Sequence, residues 1–344
     1  MNPNDEQLAI YQKAQKDYLD YLERLTKLKG KESKTIDGVR MLKLEQISEH
    51  QRTLIMQYSM TLKFIGLFRS EFLYMDNEHW YQQKKNNLKH KKVVKGMNGK
   101  RVVIRTLDIG GDKTLKYFKF PEEMNPFLGY RAIRFCLQNR DIFKTQLRAL
   151  IRASEFGKVA IMFPMITNVQ EFIDAKNVYI EAYKEVAKTN KNIKKVDEIE
   201  VGLMMETPAA VVLSDKFCEY ADFVSIGTND LIQYSMVADR MNENVSYLYQ
   251  PLNPSILKLI KMVIDGAHKH GKWAGMCGEM VAIKEQFQFY LRLGLDEFSM
   301  SASNVLATRE LINSLEHKKM QKLAEKALNL HTMLDVEEML KKEL

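Results

Sequence analysis

The stretch FVSIGTNDLIQYSMVADR, Phe223–Arg240, carries the reading that decides the fold. Phe223 to Ile226 reads as a short buried strand, which Gly227 and Thr228 end. Asn229 and Asp230 then stand where the strand gives way to a helix, and Asp239 and Arg240 are expected to close that helix. An amide, a carboxylate and a later arginine at a strand's carboxyl end suit a site for a metal ion and a small anion.

Similar runs lie on both sides of this one. Short apolar, often β-branched segments alternate with longer helical patterns at Val39–Ile47, Lys63–Arg69, Arg101–Ile109, Val159–Met165, Glu200–Met205, Asp222–Gly227, Lys272–Met276 and Asp296–Met300. Eight strands alternating with helices point to an α/β fold with a closed parallel sheet, a TIM-type (β/α)8 barrel. Asn4 to Leu28 holds no proline or glycine, with Leu8, Tyr11, Tyr18, Leu22 and Leu25 near helical spacing. A long amphipathic N-terminal helix over residues 1–30 is expected there, with the barrel at 31–317 and a tail of exposed helices at 318–344. Asp76–Gly99 reads as a helix with a surface loop, and Pro121–Gly129 as an ordered loop before a helix starting near Tyr130.

Composition narrows the class. The chain has 344 residues, of which 45% are hydrophobic, enough for one large core with a small attachment. No apolar run approaches the roughly 20 residues that span a bilayer. The polar start MNPNDEQ has no secretory apolar core. Three cysteines, Cys136, Cys218 and Cys277, lack metal-type spacing and read as free thiols in a reducing cytoplasm. The net charge of +8 comes from 52 Lys+Arg against 44 Asp+Glu, in short scattered clusters without interleaved aromatics. That is a solvated lysine-rich surface rather than a nucleic-acid groove.

In a parallel barrel all strand ends open on one face. The ends here carry Arg69, Arg105, Glu206, Asn229 with Asp230, and Cys277 between Gly275 and Gly278, with Arg240 further on. Arginine forks match phosphate oxygens, and two carboxylates with few other ligands suit Mg²⁺. Each has a plainer use. A lone strand-end arginine can serve a surface ion pair, and a lone cysteine can pack as a small apolar group. Gly110-Gly111 with Asp112-Lys113 is too short for a phosphate loop, no GxxxxGK[ST] pattern occurs, and none of the seven histidines has the setting of a nucleophile's base.

The motifs GLFRSEFLYMD, VIRTLDIGGDKTL, NPFLGYRAIRF, IMFPMI, METPAA, SIGTNDLIQY with VADR, YQPLNPSIL and GKWAGMCGEM occur in this order. They resemble the C-terminal half of enzyme I, the phosphoenolpyruvate–protein phosphotransferase family of the bacterial sugar phosphotransferase system, over about residues 1–315. The resemblance implies a barrel that binds phosphoenolpyruvate and Mg²⁺ and forms a homodimer. It implies that Arg69, Arg105 and Arg240 hold the phosphate, and that Asn229 holds phosphate and carboxylate. Asp230 would serve both substrate and Mg²⁺, Glu206 would be the second metal ligand, and Cys277 would protonate the enolate to pyruvate. Arg131 and Lys113 match motif positions near the site.

Two departures stand out. Gln46-Ile47-Ser48 replaces the family's usual Asn-Ile-Gly, and the GGxxSH-like motif of the phospho-accepting histidine is missing. The expectation is therefore an isolated C-terminal domain, which reaches the histidine phosphocarrier protein only through an N-terminal half. The alternatives are a non-catalytic phosphoenolpyruvate-responsive module, a pyruvate phosphate dikinase-type barrel and, on charge alone, a nucleic-acid binder.

Overall fold

The structure, a computed structural model, describes residues 40–41, 43–44, 64–71, 83–111, 120–278, 289–301, 304–305, 308 and 323–343. The helix expected over 1–30, the Gln46–Ser48 corner and Lys113 lie outside the described residues.

The strands run β1 (Arg40–Met41), β2 (Lys43–Leu44), β3 (Ile65–Arg69), β4 (Val102–Arg105), β5 (Val159–Phe163), β6 (Glu200–Met205), β7 (Phe223–Gly227), β8 (Trp273–Cys277) and β9 (Glu297–Ser299). Each strand from β3 onward pairs in parallel with the next. β2 pairs with β3 while β1 pairs with β9, so the first run of chain reaches both of its neighbours and closes the ring. With β1 and β2 as the two pieces of the run expected at 39–47, the strands fall where the alternation places them. The third run ends sooner than expected: pairing stops near Arg105, and Thr106–Ile109 leave the sheet.

Between strands stand α1 (Gln83–Gly96), α2 (Ala132–Gln138), α3 (Arg140–Ala153), α4 (Val169–Thr189), α5 (Pro208–Val212), α6 (Ser214–Phe217), α7 (Thr228–Met236) and α8 (Pro254–Lys269), and α9 (Met333–Glu343) follows β9. Local chemistry sets several starts. Asn168 accepts from Glu171 N at 2.9 Å to begin α4. Thr207 and Asn253 cap α5 and α8, each with proline at the first helical position, where no donor is lost. By contrast, the N-cap of α7 is Gly227, which has no side chain to cap it.

Leu67, Val103, Ala160, Met162, Met204, Phe223 and Cys277 form a buried cluster inside the ring. Strand side chains alternate with period two, so the pleat that turns Leu67 and Val103 inward also turns Arg69 and Arg105 inward, one step nearer the carboxyl ends. At the opposite end the ring is plugged. Phe223 stacks on Trp273 at 4.4 Å, and Trp273 Nε1 donates to Glu200 at 3.2 Å. His268, at the end of α8, bonds Asp296 at 2.8 Å and so belongs to the strands' starting side, away from the mouth.

Two expectations need correction. The tail does not stand free: Val336, Met339 and Leu340 bury one face of α9, and Leu323, Ala324 and Ala327 are buried before it. Their i, i+3, i+4 spacing is that of a docked amphipathic helix. In addition, α7 stops at Met236, where Val237 takes a left-handed φ of 53°, so Asp239 and Arg240 lie beyond the helix in a turn.

One histidine is held in an unusual place. His90 on α1 is fully buried, meets Phe68 of β3 edge-on at 5.9 Å, and has no hydrogen-bond partner on either ring nitrogen among the described residues. Burial, with Lys89 adding to it, pushes its pKa down to about 4. The folded state therefore binds fewer protons than the unfolded chain between about pH 4 and 6.5. Stability is fully present above that window and falls as pH drops through it, by up to about 3 kcal/mol. Urea unfolding at pH 7 and pH 4.5 is expected to show this loss, and His90→Leu to flatten it. An unchanged pH slope in that variant rules His90 out as its source.

Candidate active site

The mouth is built from strand ends that the ring brings to one side. Arg69 and Arg105 are register partners on β3 and β4, and Arg105 pairs in turn with Met162 on β5. Glu206 follows β6, Asn229 and Asp230 open α7 after β7, and Cys277 ends β8.

The arginines do not stand alone. Glu71, two residues past Arg69, is 1% exposed and accepts from Arg69 Nε at 3.3 Å. The same carboxylate oxygen bonds Arg105. Asp108 then links Arg105, at 2.9 Å, to Arg131, at 2.9 Å. Arg131 goes on to Asp230 at 3.2 Å and donates to the hydroxyl of Tyr234 at 3.2 Å. Tyr234 in turn donates to Phe127 O at 2.7 Å, tying α7 to the loop after β4. Burial alone would depress both buried guanidinium pKa values. Glu71 and Asp108 for Arg105, and Asp108 and Asp230 for Arg131, more than offset it, so both stay charged. Arg131, expected near the site, is 2% exposed and bridges Asp108 to the proposed metal ligand Asp230.

Glu206 sits differently. It is 2% exposed, and no cation lies within ion-pair distance of it among the described residues. Its Oε1 accepts from Met165 N at 2.6 Å, and Met165 takes a positive φ of 57° there, a strained arrangement typical of functional sites. Burial, then the charges of Asp230 and Asp108, raise its pKa to about 8. Two crowded carboxylates, one of them with no described cation in ion-pair range, are a donor set that a divalent cation would relieve.

Asn229 is half-buried in the uncapped first turn of α7, and its Oδ1 accepts from the Tyr249 hydroxyl at 3.1 Å. Cys277 is 6% exposed, and its thiol donates to Ile226 O at 3.6 Å. Gly278 takes φ 145°, and a Cβ there would collide with the Thr228 hydroxyl, which itself donates to Cys277 O at 3.1 Å. Glycine is needed for this close approach. Arg240 is half-buried with no described carboxylate in ion-pair range, and its backbone N donates to Gln233 Oε1 at 3.1 Å.

The structure therefore brings Arg69, Arg105, Glu206, Asn229, Asp230 and Cys277 to the same end of the ring. Four residues escaped the reading from sequence: Glu71, Asp108, Tyr234 and Tyr249. Glu71 and Asp108 lie two or three residues beyond the strand-end arginines, which is the one signal that could have found them.

Residues 23–317 match the family model described as PEP-utilising enzyme, PEP-binding domain. The chain belongs to that family. The phosphoenolpyruvate-protein phosphotransferase of Listeria monocytogenes is 50% identical over 342 residues, covering 99% of this chain and 59% of that protein. The enzyme of the same name from Mycoplasma capricolum is 51% identical over 329 residues, covering 96% of this chain and 57% of that protein. The chain thus spans somewhat over half the length of these relatives. Among solved structures, a citrate lyase from Burkholderia xenovorans superposes with a TM-score of 0.50 at 11% identity, covering 91% of this chain and 92% of that one. That likeness concerns the barrel fold alone. The resemblance of the motifs to enzyme I and the family match agree.

Proposed function

We propose that this chain binds phosphoenolpyruvate with Mg²⁺ at the barrel mouth and acts as the phosphoryl-donating part of an enzyme I-type phosphotransferase. The observation that carries the reading is the convergence of Arg69 and Arg105 on one side and Glu206 and Asp230 on the other, in a chain about 50% identical to phosphoenolpyruvate-protein phosphotransferases.

Arg69, Arg105 and Arg240 would take the phosphate oxygens. The uncapped start of α7 and the Asn229 amide add donors for an anion. Glu206 and Asp230 would hold Mg²⁺, which when bound neutralises phosphate charge. The charged chain Glu71–Arg105–Asp108–Arg131–Asp230 fixes these groups before any ligand arrives, the preorganisation on which phosphoryl transfer depends. A histidine on a separate domain would attack the phosphorus in line. Cys277 would then pass its proton to C3 of the enolpyruvate. From that histidine the phosphate would go to the histidine phosphocarrier protein and serve sugar uptake, in a cytoplasmic homodimer. No helix among the described residues is long and apolar enough to cross a membrane.

Calorimetric titration of phosphoenolpyruvate into this chain, with Mg²⁺ and again with chelator, tests the proposal. Saturable binding that chelator weakens is the expected result. Heat-free mixing in both conditions overturns it.

A further inference from the structure

We infer that Tyr249 is a positioning residue: its hydroxyl holds the Asn229 amide with the NH₂ group presented to the mouth. The inference rests on the reading of the mouth as a phosphoenolpyruvate site and adds to it the residue that sets Asn229's polarity.

An asparagine side chain has one acceptor end and one donor end, and a half-turn exchanges them. A phosphate or carboxylate oxygen is served only by the donor end. Asn229 lies in the first turn of α7, where its side chain alone cannot choose between the two. The Tyr249 hydroxyl, 3.1 Å from Oδ1, donates to the acceptor end, and the donor end is then the one left for the mouth. With Oδ1 engaged, Nδ2 is left to join the uncapped N–H groups of α7 as an anion donor.

Tyr249 is itself well placed for this. It follows directly on the short 3-10 helix Glu243–Leu248, and its own N–H donates to Ser246 O at 3.0 Å. The backbone turn therefore aims the ring. The segment from Val237 to Tyr249 also carries Arg240. One phenolic bond thus ties the far end of that segment back to the start of α7, so the same contact that orients Asn229 anchors the chain bearing the third arginine.

The test is a double-mutant cycle on the whole chain, read by calorimetry with phosphoenolpyruvate and Mg²⁺. Tyr249→Phe removes only the hydroxyl and is expected to raise Kd about tenfold, the size of one hydrogen bond to a charged ligand's donor. Asn229→Ala is expected to raise it about 10- to 100-fold. In the Asn229→Ala background, Tyr249→Phe should change Kd less than about twofold, because the hydroxyl has nothing left to orient. A purely structural tyrosine gives the same penalty in both backgrounds, and that outcome overturns the inference, as does an unchanged Kd in Tyr249→Phe alone. If the unsubstituted chain binds no phosphoenolpyruvate, the proposed function fails, and the same cycle is read on thermal unfolding. Coupling between the two substitutions then sustains the Tyr249–Asn229 bond, and strict additivity removes it.

Discussion

Replacing Arg105 by alanine is expected to destabilise the protein by about 3–5 kcal/mol, the scale of breaking a buried ion pair by deleting one partner. The guanidinium is 6% exposed and serves two carboxylates at once, Glu71 and Asp108. Both stay buried when it is removed, and Glu206, already short of positive charge, loses a cation that holds its pKa down. The loss reaches function separately. Removing one preorganised donor from a developing charge costs about 2–4 kcal/mol in the transition state. Urea unfolding reads the first effect. Phosphoryl transfer to an acceptor-histidine domain, below the unfolding transition, reads the second. Arg105→Lys divides them further: a point charge restores part of the stability, but it cannot span Glu71, Asp108 and a phosphate oxygen as a planar fork does. An Arg105→Ala protein that unfolds at the same urea concentration and transfers phosphate normally removes Arg105 from both roles.

The same residue shows what the sequence makes legible. Arg105 lies two residues after Val103 in a β-branched run, so period-two alternation and the barrel rule are enough to put it inside and at the mouth. Glu206, Asn229, Asp230 and Cys277 are found the same way, each at the end of a run. Glu71 and Asp108 are not, because each also bonds an arginine from the next stretch of chain, Arg105 on the neighbouring strand for Glu71 and Arg131 at the start of α2 for Asp108, a relation that packing sets. Tyr234 and Tyr249 are further removed. They come from a helix and from a segment after β7, and their partners, Phe127, Arg131 and Asn229, are chosen by tertiary packing. Helix ends fail for a local reason. The left-handed residue that stops α7 is Val237, where glycine or asparagine is the usual signal, so the helix seemed to run on to Asp239 and Arg240. The docked tail hides its buried face in a lysine- and glutamate-rich sequence, because only Val336, Met339 and Leu340 of α9 carry it.

Cys277→Ala is expected to leave phosphoenolpyruvate binding intact and to lower pyruvate formation by about 10²- to 10⁴-fold, the range of a lost general acid. The thiol is a small part of the mouth, 6% exposed and bonded to Ile226 O within β7, so its removal takes away little contact with an anion. What it removes is a proton. After the phosphoryl group leaves, the enolpyruvate carbon C3 forms a new C–H bond with the thiol proton, and the electron pair of the S–H bond stays on sulfur as thiolate. Arg105 is close enough to feel that charge and would stabilise it until solvent returns the proton. Cys277→Ser separates shape from acidity. The hydroxyl fits the space but is a far weaker acid than the thiol, so turnover should stay low while binding is kept. In heavy water the unsubstituted site should deliver deuterium to one face of C3, and the alanine variant should lose that preference as the enol protonates in solution. If Cys277→Ala instead abolishes binding while the fold survives, the thiol is a ligand contact, and the proton must come from another group at the mouth.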